Sequence, residues 1–230
     1  HDPGPIIMGL MAQIGWTHTY ITPDPFKDRE ATNTDITIKA LFDSDSGFYQ
    51  SSVILTWSDD NFTTTHIISM AKSGSKDTAL IPAPNKVADI KFFFSVIDSF
   101  GRIYRLPVDS SKSPFTIHCG PDAVKPVISH DSVTFIYSDA TALNLSATVT
   151  DNIGVDSVIL EYYINTTKKT NINFVFDTLD IYDATITFSG GDIAVGDSIR
   201  YRIVAIDKAA GKNKTYLPAA GYYTIRVEKR

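Results

Sequence analysis

The sequence predicts an all-β protein of two tandem antiparallel β-sandwiches, and three observations carry that prediction. Apolar residues alternate with polar ones at a period of two in several runs, which puts one face of each strand inward. No stretch sustains an apolar period near 3.6 over the ~10 residues a helix needs. The second half of the chain restates the first half in the same order of elements.

The elements follow in order. Ile36, Ile38, Ala40 and Phe42 alternate with Thr37, Lys39 and Leu41; Leu143, Leu145, Ala147 and Val149 alternate with Asn144, Ser146 and Thr148 at a shift of 143 − 36 = 107. Short turns with Asx residues and a glycine follow, Asp43–Gly47 and Asp151–Gly154. The next strands set Val53, Leu55 and Trp57 on one face, matched by Val158, Leu160 and Tyr162. Asp77–Ile81 answers Asp183–Thr187, and Phe92–Asp98 answers Tyr201–Asp207, with an aspartate ending the strand both times. Hairpin connections lead to Leu106-Pro107 and Leu217-Pro218, and Phe115–Cys119 and Tyr223–Val227 close the two units.

Length and punctuation set the boundaries. At 230 residues the chain suits two seven-stranded sandwiches of about 100 residues each. Gly120–Pro126 carries two prolines, which lack the N–H a ladder needs and restrict the residues before them. The expected domains are therefore residues 15–120 and 121–230, with residues 1–14 a linker or an added edge strand. His18 and His130 each lead into a domain and are expected to share a structural task.

Composition excludes several functions. The net charge is −5 and the cations are scattered, so the basic footprint of a nucleic-acid binder is missing. No run approaches the ~18 apolar residues of a membrane span, so membrane insertion is not expected. A single cysteine, Cys119, rules out an internal disulfide and a thiolate metal cluster. It aligns with Val227 at a core-facing position and reads as a small buried hydrophobe.

Candidate sites are few. Asp43, Asp45, Asp151 and Asn152 are oxygen donors beside glycines, the chemistry Ca²⁺ takes, though each loop supplies fewer than the ~6–8 ligands it wants. Turn capping explains the same residues, so the expected cofactor is none, with calcium as the one metal to test. Asp59-Asp60 are adjacent on a turn and do not flank a bond as glycosidase carboxylates do. No Gly-x-Ser-x-Gly elbow, phosphate loop or paired-histidine spacing occurs. Trp57, Tyr162, Phe92, Phe94 and Tyr201 are expected inward, with Tyr201 suited to a hydrogen bond of the tyrosine-corner kind. Trp16 and Tyr20 lie near an edge, while Phe93 and Tyr163 have outward parity; these four are the partner-binding candidates.

Four segments carry a family resemblance: Lys125–His130 at a domain start, Thr150–Val155 with Val158–Leu160 after it, Ala79–Pro84, and Ala205–Asn213. With them the chain resembles the tandem immunoglobulin-like or fibronectin-type III-like modules of secreted multidomain Bacteroidota-type bacterial proteins. The resemblance implies a non-catalytic structural or adhesive spacer, secreted or at the cell surface, whose partners are neighbouring domains and a protein or glycan. Two rivals are a carbohydrate-binding module, which needs exposed aromatics on one sheet or loop end, and a protein-binding component of a secretion or surface machine, with residues 6–15 as the edge strand.

Overall fold

A computed structural model describes residues 18–230, so Trp16 and the expected edge segment at 6–15 lie outside the described residues. The chain divides into two compact units, His1–Pro121 and Asp122–Arg230. Each is an antiparallel immunoglobulin-like β-sandwich, and each is described by itself.

The first unit contains β1 (Thr19–Pro23), β2 (Ile36–Ser44), β3 (Ile54–Ser58), β4 (His66–Ser69), β5 (Ala71–Ser73), β6 (Lys76–Ile81), β7 (Ala88–Ile97), β8 (Ile103–Leu106) and β9 (Phe115–Cys119). One sheet has the order β1-β2-β6-β5; the facing sheet has β4-β3-β7-β8, with β9 also on β7. The second unit contains β10 (Val127–Ser129), β11 (Phe135–Tyr137), β12 (Ala142–Thr150), β13 (Val155–Ile164), β14 (Thr167–Lys168), β15 (Ile172–Asn173), β16 (Val175–Phe176), β17 (Ile181–Thr187), β18 (Ser198–Asp207), β19 (Lys214–Leu217) and β20 (Tyr223–Glu228). Its sheets are β10-β12-β17-β16 and β11-β20-β18-β13-β14, with β15 on β13 and β19 on β18.

Among the described residues the units hold nine and eleven strand segments where seven strands were expected, and in each unit one of the extra segments arises because the last strand is broken. Pro107 follows β8 and Pro218 follows β19, each after a cis peptide bond, and proline has no N–H to donate to the ladder. The strand therefore leaves β7 after Leu106 and returns as β9; in the second unit it leaves β18 after Leu217 and returns as β20. One pairing departs from antiparallel order: β11 runs parallel to β20, and a single parallel bridge between Arg29 and Cys119 does the same in the first unit.

The alternation read from the sequence becomes the core. Ile36, Ile38, Ala40 and Phe42 are buried on β2, and Leu143, Leu145, Ala147 and Val149 on β12. They face Ile90, Phe92, Phe94 and Val96 in the first unit and Ile199, Tyr201, Ile203 and Ala205 in the second. Burying each large side chain removes apolar area worth about 1.5–3 kcal/mol. In the first unit the rings pack edge to face, Phe26 and Phe92 at 5.1 Å and Phe42 and Phe94 at 6.1 Å. Cys119 is free and fully buried, and burial pushes its thiol pKa up, so it packs as a small hydrophobe.

One expectation holds in part and three need correction. Trp57 and Tyr162 do face inward and pack against the cores, but only partly buried at their margin, where Trp57 stacks on His66 at 4.4 Å. Asp43 is not in a loop: β2 continues through Ser44, and a short 3-10 turn, Gln50–Ser52, precedes β3. Asp77 does not correspond to Asp183. Ile36 pairs with Ile81 and its equivalent Leu143 with Ile186, so Asp77 corresponds to Tyr182. Its carboxylate is buried on Gln50 Nε2 (2.6 Å) and Lys72 Nζ (3.2 Å), whereas Asp183 is exposed.

The third correction concerns the histidines. Leu41 pairs with Thr22 and its equivalent Thr148 with Ser129, so Pro23 stands where His130 does. His18 is exposed, its ring 4.5 Å from that of Tyr20, while His130 reaches the core. They share no task.

Candidate functional site

The polar end of the second unit is built from the chain before β10, the turn after β12 and the hairpin after β18. Asp151 ends the apolar alternation of β12, and its Oδ1 accepts the N–H groups of Ile153 (2.9 Å) and Gly154 (2.8 Å). Asp207 ends β18; its Oδ1 accepts from Ala209 N (3.1 Å) and Asn213 N (2.9 Å). Asn213 Nδ2 then donates to Asp207 Oδ2 at 2.7 Å and to the carbonyl of Asp122 at 3.2 Å, and Asn152 Nδ2 donates to Asp122 Oδ1 at 2.9 Å. Two amides thus bridge carboxylates that would otherwise repel one another.

Asp151 is the exception. Its Oδ2 is buried and has no hydrogen-bond partner. Burial first, and then the charges of Asp207 and Asp122, hold its pKa above the usual carboxylate range, against the two N–H bonds that favour ionisation.

The structure therefore brings Asp151 and Asn152 together with Asp122, Asp207 and Asn213. In the first unit Asp43 Oδ1 accepts only the N–H of Ser44 (2.9 Å), and Asp45 Oδ2 accepts that of His18 (3.0 Å). The counterpart of Asp207 is Asp98, also fully buried, where a cation closes the hairpin: Arg102 Nε lies 2.7 Å and its terminal nitrogen 2.6 Å from Asp98 Oδ2. Among the described residues no three histidine, cysteine or acidic side chains converge as a metal-binding group.

Asp122, Asp207 and Asn213 escaped the sequence reading as members of one cluster. They are separated by up to 91 positions, and only the strand-ending aspartate repeated as Asp98 and Asp207 signalled them.

The partner-binding candidates sit on different surfaces. Tyr20 is half exposed on edge strand β1. Tyr163 lies on the outer face of β13, where its ring meets Tyr222 at 5.2 Å and the guanidinium of Arg200 at 5.2 Å. Beside it Arg202 is bonded to Glu161 at 2.5 Å and stands over the rings of Tyr216 (4.7 Å) and Tyr222 (5.0 Å), a face satisfied from within. Phe93, on the outer face of β7, lines an open cavity with Phe62, the ring centroids 5.9 Å apart.

No protein-family model matches the chain, and no curated protein matches it. Solved structures do. A chimeric titin Z1Z2 functionalised with an exogenous decorin peptide is 11% identical over 93% of this chain and 97% of its own, with a TM-score of 0.37. The chicken CNTN1 FN1–FN3 domains are 10% identical over 90% of this chain and 66% of theirs, with a TM-score of 0.36. A tetra-tandem repeat from the extending region of a large adhesion protein is 15% identical over 92% of this chain and 50% of its own, with a TM-score of 0.33. At such identities and TM-scores these likenesses carry no weight for function. The fold rests on the strand pairings: two tandem immunoglobulin-like, fibronectin-type β-sandwiches.

Proposed function

We propose that the chain is a non-catalytic structural and adhesive spacer of a secreted or cell-surface bacterial protein, of the Bacteroidota type that its motifs resemble. It holds neighbouring domains at a set distance and presents its outer faces to a partner. One observation supports this reading most: both units close a complete apolar core of their own, and both lock the hairpin after the long central strand with a buried aspartate, Asp98 or Asp207. Such a unit resists local opening because its core and its hairpin must yield together. Among the described residues no helix is long and apolar enough to cross a membrane.

Single-molecule stretching of the full chain tests the reading. Two separate unfolding events are expected, each releasing about 100 residues, or roughly 330–360 Å of contour length. One event spanning the whole chain, or extension without a force peak, would overturn it.

A further inference from the structure

We propose that the outer face of β3 and β7 in the first unit binds an acidic saccharide, an oligosaccharide whose rings carry carboxylates. This goes beyond spacing. The cavity there has a volume of about 370 Å³, and its lining includes Phe62, Phe93, Lys91, Arg105 and Lys112 but no acid. That volume falls within the roughly 300–1,000 Å³ typical of small-ligand sites.

Two of the three cations of this wall, Lys91 and Arg105, have no carboxylate partner among the described residues. Lys91 Nζ bonds an amide oxygen, Asn61 Oδ1, at 2.6 Å. Arg105 has no ion pair among the described residues, and Lys112 meets Asp109 only at 3.7 Å, both side chains exposed. In a chain of net charge −5, two cations without a carboxylate partner in a cavity lined by no acid favour an anion.

The aromatic wall is built at a cost. Asn61 and Phe62 are both left-handed, with φ of 59° and 62°, a conformation that a bulky side chain rarely adopts. Asp60 holds the turn by accepting from Thr64 N at 2.8 Å and from Ser58 Oγ at 2.7 Å. The result sets the Phe62 ring beside Phe93, giving two apolar surfaces for the C–H faces of sugar rings. Hydroxyls of Thr65 and Ser111 also line the cavity; that of Ser111 donates to Asp109 Oδ1 at 3.1 Å and leaves its oxygen to accept from a sugar hydroxyl.

The second unit supplies an internal comparison. Thr56 stands directly opposite Phe93, and Glu161 stands directly opposite Arg202 at the equivalent pair. In the second unit one face therefore holds its own carboxylate, cation and rings: Glu161, Arg202, Tyr216 and Tyr222. In the first unit the ring is on β7 and a cation on β8, and the carboxylate position is a threonine. The missing anion comes from outside.

Titration of the full chain with trigalacturonate, followed by amide NMR, tests the proposal. Saturable shifts centred on Lys91, Phe93 and Arg105 are expected at about 1 mM ligand, with neutral galactotriose at least about tenfold weaker. The double variant K91A/R105A and the single variant F93A should each lose about tenfold in affinity while the first unit still melts cooperatively above the titration temperature. Thr56→Glu, which installs the internal carboxylate, should block binding. Absence of saturable shifts, equal binding of the neutral trimer, shifts centred elsewhere, or unaltered affinity in K91A/R105A would each overturn it.

Discussion

Tyr201 Oη lies 2.8 Å from His130 Nε2, and the same oxygen accepts the backbone N–H of Val133 at 3.3 Å. Tyr201 is fully buried, so its hydroxyl must be paired inside the protein, and this pairing pins the chain before β11 to the central strand β18. The expected tyrosine-corner bond thus exists in altered form: its partners are 71 and 68 positions upstream, not a few. His130 Nδ1 completes the link on the carbonyl of Ser146, 2.6 Å away.

Tyr201→Phe should therefore cost the second unit about 1–3 kcal/mol, since it takes the shared hydroxyl from a part-buried ring nitrogen and a backbone N–H. Urea titration with a probe in each unit is expected to show the second transition shifted down and the first unchanged. The first unit already carries Phe92 at this place, with Pro23 where His130 would be.

Asp60 gives the first unit an acid-labile turn. The N–H of Thr64, then the Ser58 hydroxyl, lower its pKa from 3.8 to about 2. A folded pKa below the unfolded one means the ionised group stabilises above pH 3.8 and loses that contribution as pH falls through about 2. The urea midpoint of the first unit should drop across that window, and Asp60→Asn should flatten this part of the curve.

Arg102→Ala should destabilise the first unit by about 1.5–3 kcal/mol, because Asp98 is fully buried and keeps only its N–H bonds. Burial opposes the charge on Asp98, yet the N–H and side chain of Arg102, with the N–H of Phe100, bring its pKa below the usual range. Its stabilising share is therefore present at neutral pH and lost in acid. Thermal melting of wild type and variant at both conditions checks this.

At Asp151 the sign is opposite. Its pKa is raised, so the folded state holds the proton more tightly and stability falls as pH rises through the raised value. Asp151→Asn keeps an Oδ1 acceptor for Ile153 and Gly154 and removes the charge; the second unit should melt higher at neutral pH, with the gain vanishing in acid. Chelator should leave the wild-type melting temperature unchanged, because amides bridge the carboxylates. A rise with added calcium, abolished by Asp151→Asn, would reassign the cluster to a metal.

Much of the fold was legible because alternation is a local property. Ile36 to Phe42 and Leu143 to Val149 declare their faces without reference to anything else. Residue likeness misled where it competed with that parity: matching Asp77 to Asp183 slips the register by one, and a one-residue slip reverses which face each side chain takes. The polar clusters were hidden for another reason. Asp122 meets Asn213, and His130 meets Tyr201, only once the sandwich is closed, and no periodic pattern encodes a contact across it. Phe93 was visible as outward-facing, but its cavity depends on the left-handed turn at Asn61 and Phe62, which residue type does not announce.

The central claim is that each unit closes its own core, and limited proteolysis of the full chain with mass spectrometry tests it most directly. First cleavage is expected between Gly120 and Pro126, releasing two fragments that each retain a β-type circular dichroism spectrum and a cooperative melt. Unfolding of either fragment on cleavage would contradict it.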